Sequence, residues 1–179
     1  MSLSSIILKL FGWKIRCSVP DYPKCIICVA PHTSNWDFVL GKLTYWSLGR
    51  KAGFLIKENW FFFPMNLVFN AFGGIPVPRR KHNTSLTDVL IKRFNSSTEM
   101  SVAITPEGTR SKVSEWHTGF LRIATGAGVP IVLGAIDAAD KTVYLERTFI
   151  PTGDIDADMA AIKDYYRHFK GIKAENFAV

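Results

Sequence analysis

Cysteine is scarce in this chain, and what there is does not pair. Cys17, Cys25 and Cys28 make an odd set with no second pair at zinc-binding spacing, and the latter two lie inside the apolar run 25–30. A disulfide framework and a structural zinc finger are thereby excluded; free thiols in a reducing compartment are expected, and no metal. A bilayer-spanning helix is missing too. The longest uncharged stretch, 60–78, contains Pro64, Asn66, Asn70, Gly73, Gly74 and Pro76, so a short helix followed by a buried strand is expected there. No cleavable signal is expected, because Lys9 interrupts the only early apolar stretch. Acidic residues are in deficit: 15 Asp and Glu against 22 Lys and Arg give a formal charge of +7. That balance favours anionic partners, whether phosphates, lipid headgroups or nucleic acid, without choosing among them.

Further absences concern chemistry. The chain has no Gly-x-Ser-x-Gly elbow, no Walker loop and no Gly-x-Gly-x-x-Gly. A serine-hydrolase nucleophile and nucleotide or dinucleotide chemistry therefore have no support.

What is present suffices for one core, since 47% of the 179 residues are apolar. Apolar patterning predicts strands over 25–30, 54–57, 74–77, 101–105, 130–136 and 143–149, and helices over 35–48, 65–72, 86–95, 119–126 and 155–170. The alternation implies a single α/β domain whose sheet is largely parallel or mixed and flanked by helices. Ser85 and Asp88 have capping-box spacing, and Ile155, Met159, Ile162, Tyr166 and Phe169 form the core-facing stripe of the last helix. Residues 1–20 read as an amphipathic segment ahead of a domain over 21–179. Apolar residues there interleave with Lys9, Lys14 and Arg16, as in a helix lying in a membrane interface or one packed on the domain. The aromatic run around Trp60, Phe61, Phe62 and Phe63 and the following Leu67 and Val68 are expected mainly in the core, with at least one Phe exposed. An acyl groove or a bilayer contact is their other reading.

Three clusters carry candidate chemistry. Pro31-His32-Thr33-Ser34-Asn35-Trp36-Asp37 follows a strand and opens a helix, where α/β folds place ligands. His32 is the natural base there, with Asp37 to hold its tautomer; with no enzyme nucleophile, the attacking hydroxyl belongs to the substrate. Ser34 and Asp37 also have capping-box spacing, so a purely structural role for the pair stays open. The second cluster, Gly73 to Arg80, ends in two guanidinium groups suited to phosphate. In the third, Thr105-Pro106-Glu107-Gly108-Thr109-Arg110-Ser111, Gly108 lets the backbone approach a ligand while Thr109, Arg110 and Ser111 supply donors.

Together these clusters resemble the glycerolipid acyltransferase family that includes lysophosphatidic acid acyltransferases. His32 and Asp37 match its first motif (His, four residues, Asp), Gly73 to Arg79 its second, Pro106 to Ser111 its third, and Val129-Pro130-Ile131-Val132 its fourth. Two positions depart: Pro78 stands where the family often has an acidic residue, and Leu133 where a second Pro is common. The resemblance implies a glycerolipid acyltransferase fold and transfer of a fatty acyl chain from acyl-CoA or acyl carrier protein to a lyso-lipid or glycerol-phosphate hydroxyl. It implies His32 and Asp37 as catalytic. Arg79 and the turn Glu107, Gly108, Thr109, Arg110, Ser111 would bind the acceptor's phosphate, with Gly108 and Thr109 shaping the reaction site. No cofactor beyond the thioester donor is implied, and attachment is expected to be peripheral, on the cytoplasmic side of a membrane. A thioesterase, with His32 activating water, and a non-catalytic basic module binding anionic lipid or nucleic acid are the alternatives. No recognisable nucleic-acid motif supports a nucleic-acid partner.

Overall fold

The computed structural model describes residues 2–77 and 85–179. Its elements in chain order are α1 (Leu3–Leu10), β1 (Lys14–Cys17), β2 (Lys24–Ala30), α2 (Asn35–Ser47), β3 (Gly53–Lys57), α3 (Met65–Ala71), β4 (Gly74–Val77), α4 (Leu86–Ser96), β5 (Met100–Ile104), α5 (Gly119–Ala127), β6 (Ile131–Asp137), β7 (Thr142–Phe149) and α6 (Ile155–Tyr166). Seven strands form one mixed sheet in the order β1-β7-β6-β2-β5-β3-β4. Only β6 and β7 run antiparallel. The short connection 138–141 permits nothing else, whereas the helical crossovers between β2, β3, β4, β5 and β6 return the chain in the same direction.

Strand β2 shows how sequence period becomes layers. Ile26, Cys28 and Ala30 face a core built with Phe94 of α4, Phe120 of α5 and Tyr166 of α6, while Cys25 and Ile27 face the other side, where Tyr45 of α2 packs. A strand buried on both faces reads as an unbroken apolar run, as 25–30 does. Tyr166 is fully buried and donates its hydroxyl to the carbonyl of Cys28 at 2.6 Å, which satisfies a polar group that would otherwise be costly there. The expected stripe of α6 holds: Ile162 and Tyr166 lie in the core, with Ile155, Met159 and Phe169 against it.

Three expectations are corrected. Residues 14–17, read as part of an amphipathic segment, form β1, paired parallel with β7. Gly12, at φ +75°, breaks α1 before them, and Ile15 and Cys17 then pack at strand spacing. The 1–20 segment is thus not set apart from the sheet, and Leu8 of α1 is buried against Leu40, Ile136 and Val143. Helix α6 ends at Tyr166, short of the expected 170. The aromatic run is mostly outside the core: Trp60, Phe62, Phe63, Leu67 and Val68 are all exposed, and α3 buries none of its residues. Helix α3 lies at the β4 edge of the sheet, where only one side is available for packing.

Candidate active site

The sheet order brings two distant loops together. Strands β2 and β5 are parallel neighbours, with Cys28 opposite Ile104, so the chain leaves both at the same edge. The first exit carries 31–37 and the second 105–111, which is where a parallel sheet presents side chains to a ligand.

Asp37 does two things at once. Its Oδ2 accepts from the amides of Thr33 at 2.6 Å and Ser34 at 2.7 Å, closing a capping box at the start of α2. The same oxygen lies 3.5 Å from His32 Nδ1. The helix cap and the His32–Asp37 pair are therefore one structure: a carboxylate fixed by two backbone donors, buried, and facing one nitrogen of the imidazole. Its other oxygen, Oδ1, is buried and has no hydrogen-bond partner among the described residues. With Nδ1 turned to Asp37, the other ring nitrogen, Nε2, points away from that carboxylate.

Glu107 reaches from the turn after β5 to the first site loop. It is buried, and its Oε2 accepts from the backbone amide of His32 at 2.7 Å. That contact ties the turn after β5 to the backbone of His32. Burial pushes its carboxyl up to about 7, opposed by the His32 amide and charge and assisted by Asp37.

Gly108, at φ +63°, turns the chain after Glu107. A Cβ there would lie 2.6 Å from Cδ2 and 2.7 Å from Nε2 of His117, so this position excludes a side chain on two grounds. His117, whose amide donates to Pro106 O at 2.8 Å, was not found by sequence reasoning. Only its fold-dependent position over Gly108 marks it. Arg110 is exposed and donates to Asn35 Oδ1, joining the turn to the first residue of α2. Thr109 Oγ1 accepts from the Ser111 amide at 3.2 Å. Arg79 lies outside the described residues.

Beside His32 a cavity of about 400 Å³ runs between α2 and strands β2, β3 and β5, with apolar walls from Ile27, Val29, Phe38, Tyr45, Phe54 and Leu55. None of Trp60 to Val68 lines it. Phe38, Gly41, Lys42 and Tyr45 are spaced along one face of α2, a signal present in the sequence but hidden by the lysine. Lys42 is buried, and its ammonium donates to the carbonyls of Ala52 at 2.8 Å and Phe72 at 2.7 Å while facing the Trp46 and Phe54 rings. Burial lowers its pKa. Among the described residues no group of His, Cys, Asp and Glu is arranged to hold a metal.

The site therefore consists of a His–Asp pair at the edge of an apolar cavity, with a polar turn opposite. A comparison with curated protein sequences finds no match. Among solved structures, the chain is similar to the 1-acyl-sn-glycerophosphate (LPA) acyltransferase PlsC from Thermotoga maritima, with a TM-score of 0.62 over 90% of this chain and 74% of that one. At 16% identity the two share a fold. The Acyltransferase family model matches residues 17–136. That span is most of the 179 residues and contains both site loops; the chain belongs to the acyltransferase family.

Proposed function

We propose that this protein transfers a fatty acyl chain from an acyl-CoA or acyl carrier protein thioester to the hydroxyl of a lyso-lipid or glycerol-phosphate acceptor. The single observation that carries the reading is the His32–Asp37 pair, 3.5 Å apart, opening on an apolar cavity. His32 Nε2 takes the acceptor's proton as its oxygen forms a bond to the thioester carbonyl. Asp37 stabilises the imidazolium, the carbon–sulfur bond breaks, and the proton passes to the departing thiolate. Transfer is direct, with no acyl-enzyme and no cofactor beyond the thioester, which is already activated.

The cavity suits the acyl chain because its walls are mainly apolar. Thr109, Arg110 and Ser111, with Arg79, hold the acceptor's phosphate; Arg110 swings from Asn35 to do so. Glu107 positions His32, and Gly108 keeps the turn close to it. Exposed Leu3, Ile6, Leu10 and Phe11 on and after α1, with Trp60, Phe62 and Phe63, support peripheral attachment to a membrane, whose cytoplasmic side is part of the same proposal.

The test is mass spectrometry of lipids formed when the protein is given each donor with a panel of lyso-lipids and glycerol phosphate. His32→Ala, which touches no core packing, is expected to lose roughly 10²–10⁴-fold in turnover while keeping its folded spectrum. Thiol release unchanged by omitting every acceptor would instead identify a thioesterase.

A further inference from the structure

The chain after α6 returns to the site from outside the stretch that the family model matches. The carbonyl of Lys170 accepts from the amide of Ala138 at 2.8 Å, tying this run to the end of β6. Gly171 then passes so close to the first site loop that a Cβ on it would lie 2.7 Å from both Cγ2 and Oγ1 of Thr33 and 3.0 Å from Cβ of Pro31. Ile172 packs against the cluster containing Leu40 of α2. The amide of Lys173 donates to Thr33 Oγ1 at 3.1 Å. Phe177 finally meets the ring of Trp116, with centroids 6.2 Å apart, next to the His117 that covers Gly108.

The contacts of Gly171 and Lys173 fall on Pro31 and Thr33, the two residues that flank His32. Thr33 is buried, follows His32 directly, and gives its own amide to Asp37 Oδ2. Its hydroxyl is thus held from the C-terminal side and its amide from the α2 side. Asp37 and Glu107 fix the backbone on either side of His32, but both act from within the matched region; the hydroxyl contact is made by a segment far along the chain. Nothing in the packing of the sheet requires a glycine at 171 or a hydroxyl at 33.

We propose that residues 170–177 form a brace that sets the position of the His32 imidazole, with Thr33 as the positioning residue and Gly171 as the point of closest approach. The proposal rests on His32 as the base. A side chain at 171 pushes Thr33 and Pro31 away, and the imidazole moves with them, since His32 lies between the two. Misplacement of a base by about an ångström costs roughly 10²-fold in rate without altering how tightly the substrates bind.

The experiment uses the full chain with 15N-labelled histidine, the His32 ring signals being assigned against His32→Gln. Three variants are compared with wild type: Gly171→Val, Thr33→Val, which keeps shape but removes the acceptor oxygen, and Thr33→Ser, which keeps the oxygen. Expected are shifted His32 ring signals in both Val variants, kcat lowered roughly 10- to 100-fold with both KM values within about twofold, and recovery of most of kcat in Thr33→Ser. If Gly171→Val does not fold, Thr33→Val decides. His32 signals that overlay wild type in the folded Val variants overturn the brace, as does a loss confined to KM. Should wild type transfer no acyl group to any acceptor offered, the proposed function fails, and the brace is judged on the ring signals alone.

Discussion

Glu107 combines a cost and a use in one side chain. Its carboxyl has an ordinary value of 4.5 and is pushed to about 7 by burial, yet in its ionised form it accepts from the His32 amide. Between those two values the folded chain keeps a proton that the unfolded chain has lost. Stability therefore falls as pH rises from 4.5 to about 7 and stays at the lower level above it. Glu107→Gln carries no charge at any pH and lacks this fall. We expect its stability relative to wild type to grow between about pH 5 and about pH 8, read from denaturant midpoints. Its turnover should drop, because a neutral amide oxygen is a weaker acceptor for the His32 amide than a carboxylate. A difference in midpoint that is the same at both pH values would mean that Glu107 titrates normally.

At the scale of elements, the 107–111 turn and the first two helices make separate demands. Arg110 is exposed and donates to Asn35 at the start of α2. If it binds an acceptor phosphate, Arg110→Ala should cost roughly 2–5 kcal/mol in acceptor kcat/KM and erase the preference for a phosphorylated acceptor over its dephosphorylated analogue. Arg110→Lys should recover part of it, since an ammonium keeps the charge without the planar fork. Steady-state kinetics with both acceptors decide this, and a preference retained in full would remove Arg110 from the site. Helix α1 turns Leu8 inward and leaves Leu3, Ile6 and Leu10 outside, with Phe11 just beyond. Deleting the whole N-terminal segment is a poor probe of membrane contact, because 14–17 belong to the sheet. Replacing Ile6, Leu10 and Phe11 together with Ser spares the strand. Each side chain withdrawn from a lipid interface forfeits about 1 kcal/mol or more, so binding to anionic vesicles should fall roughly 100-fold or more. Co-sedimentation measures it; unchanged binding would exclude α1 as the contact.

For the whole molecule, the charge of +7 supports the same association from a distance. Raising salt should weaken vesicle binding in wild type, and should weaken it proportionally in the Ser variant, since screening acts on the basic residues that both retain. The sequence by itself determined the layers and the chemistry-bearing segments. Strand β2 is legible as an unbroken apolar run, α6 as a core-facing stripe whose end was placed four residues too late, and the segments 31–37 and 105–111 as polar loops after strands, because local period and turn chemistry act over a few residues. Strand β1 was not read: its four residues do alternate at strand period, but so short a run directly follows the apolar and basic residues of α1, and pairing with β7 settles it. The exposure of Trp60, Phe62 and Phe63 was likewise decided by place in the fold, beside β4, the last strand of the described sheet. Tertiary structure alone decided that Glu107 grips the amide of His32, 75 residues away, that α2 walls the cavity with Phe38 and Tyr45, and that Gly171 returns to Thr33. Those contacts exist because parallel strands β2 and β5 open at one edge and the chain crosses back to meet them, a long-range arrangement that no local pattern encodes.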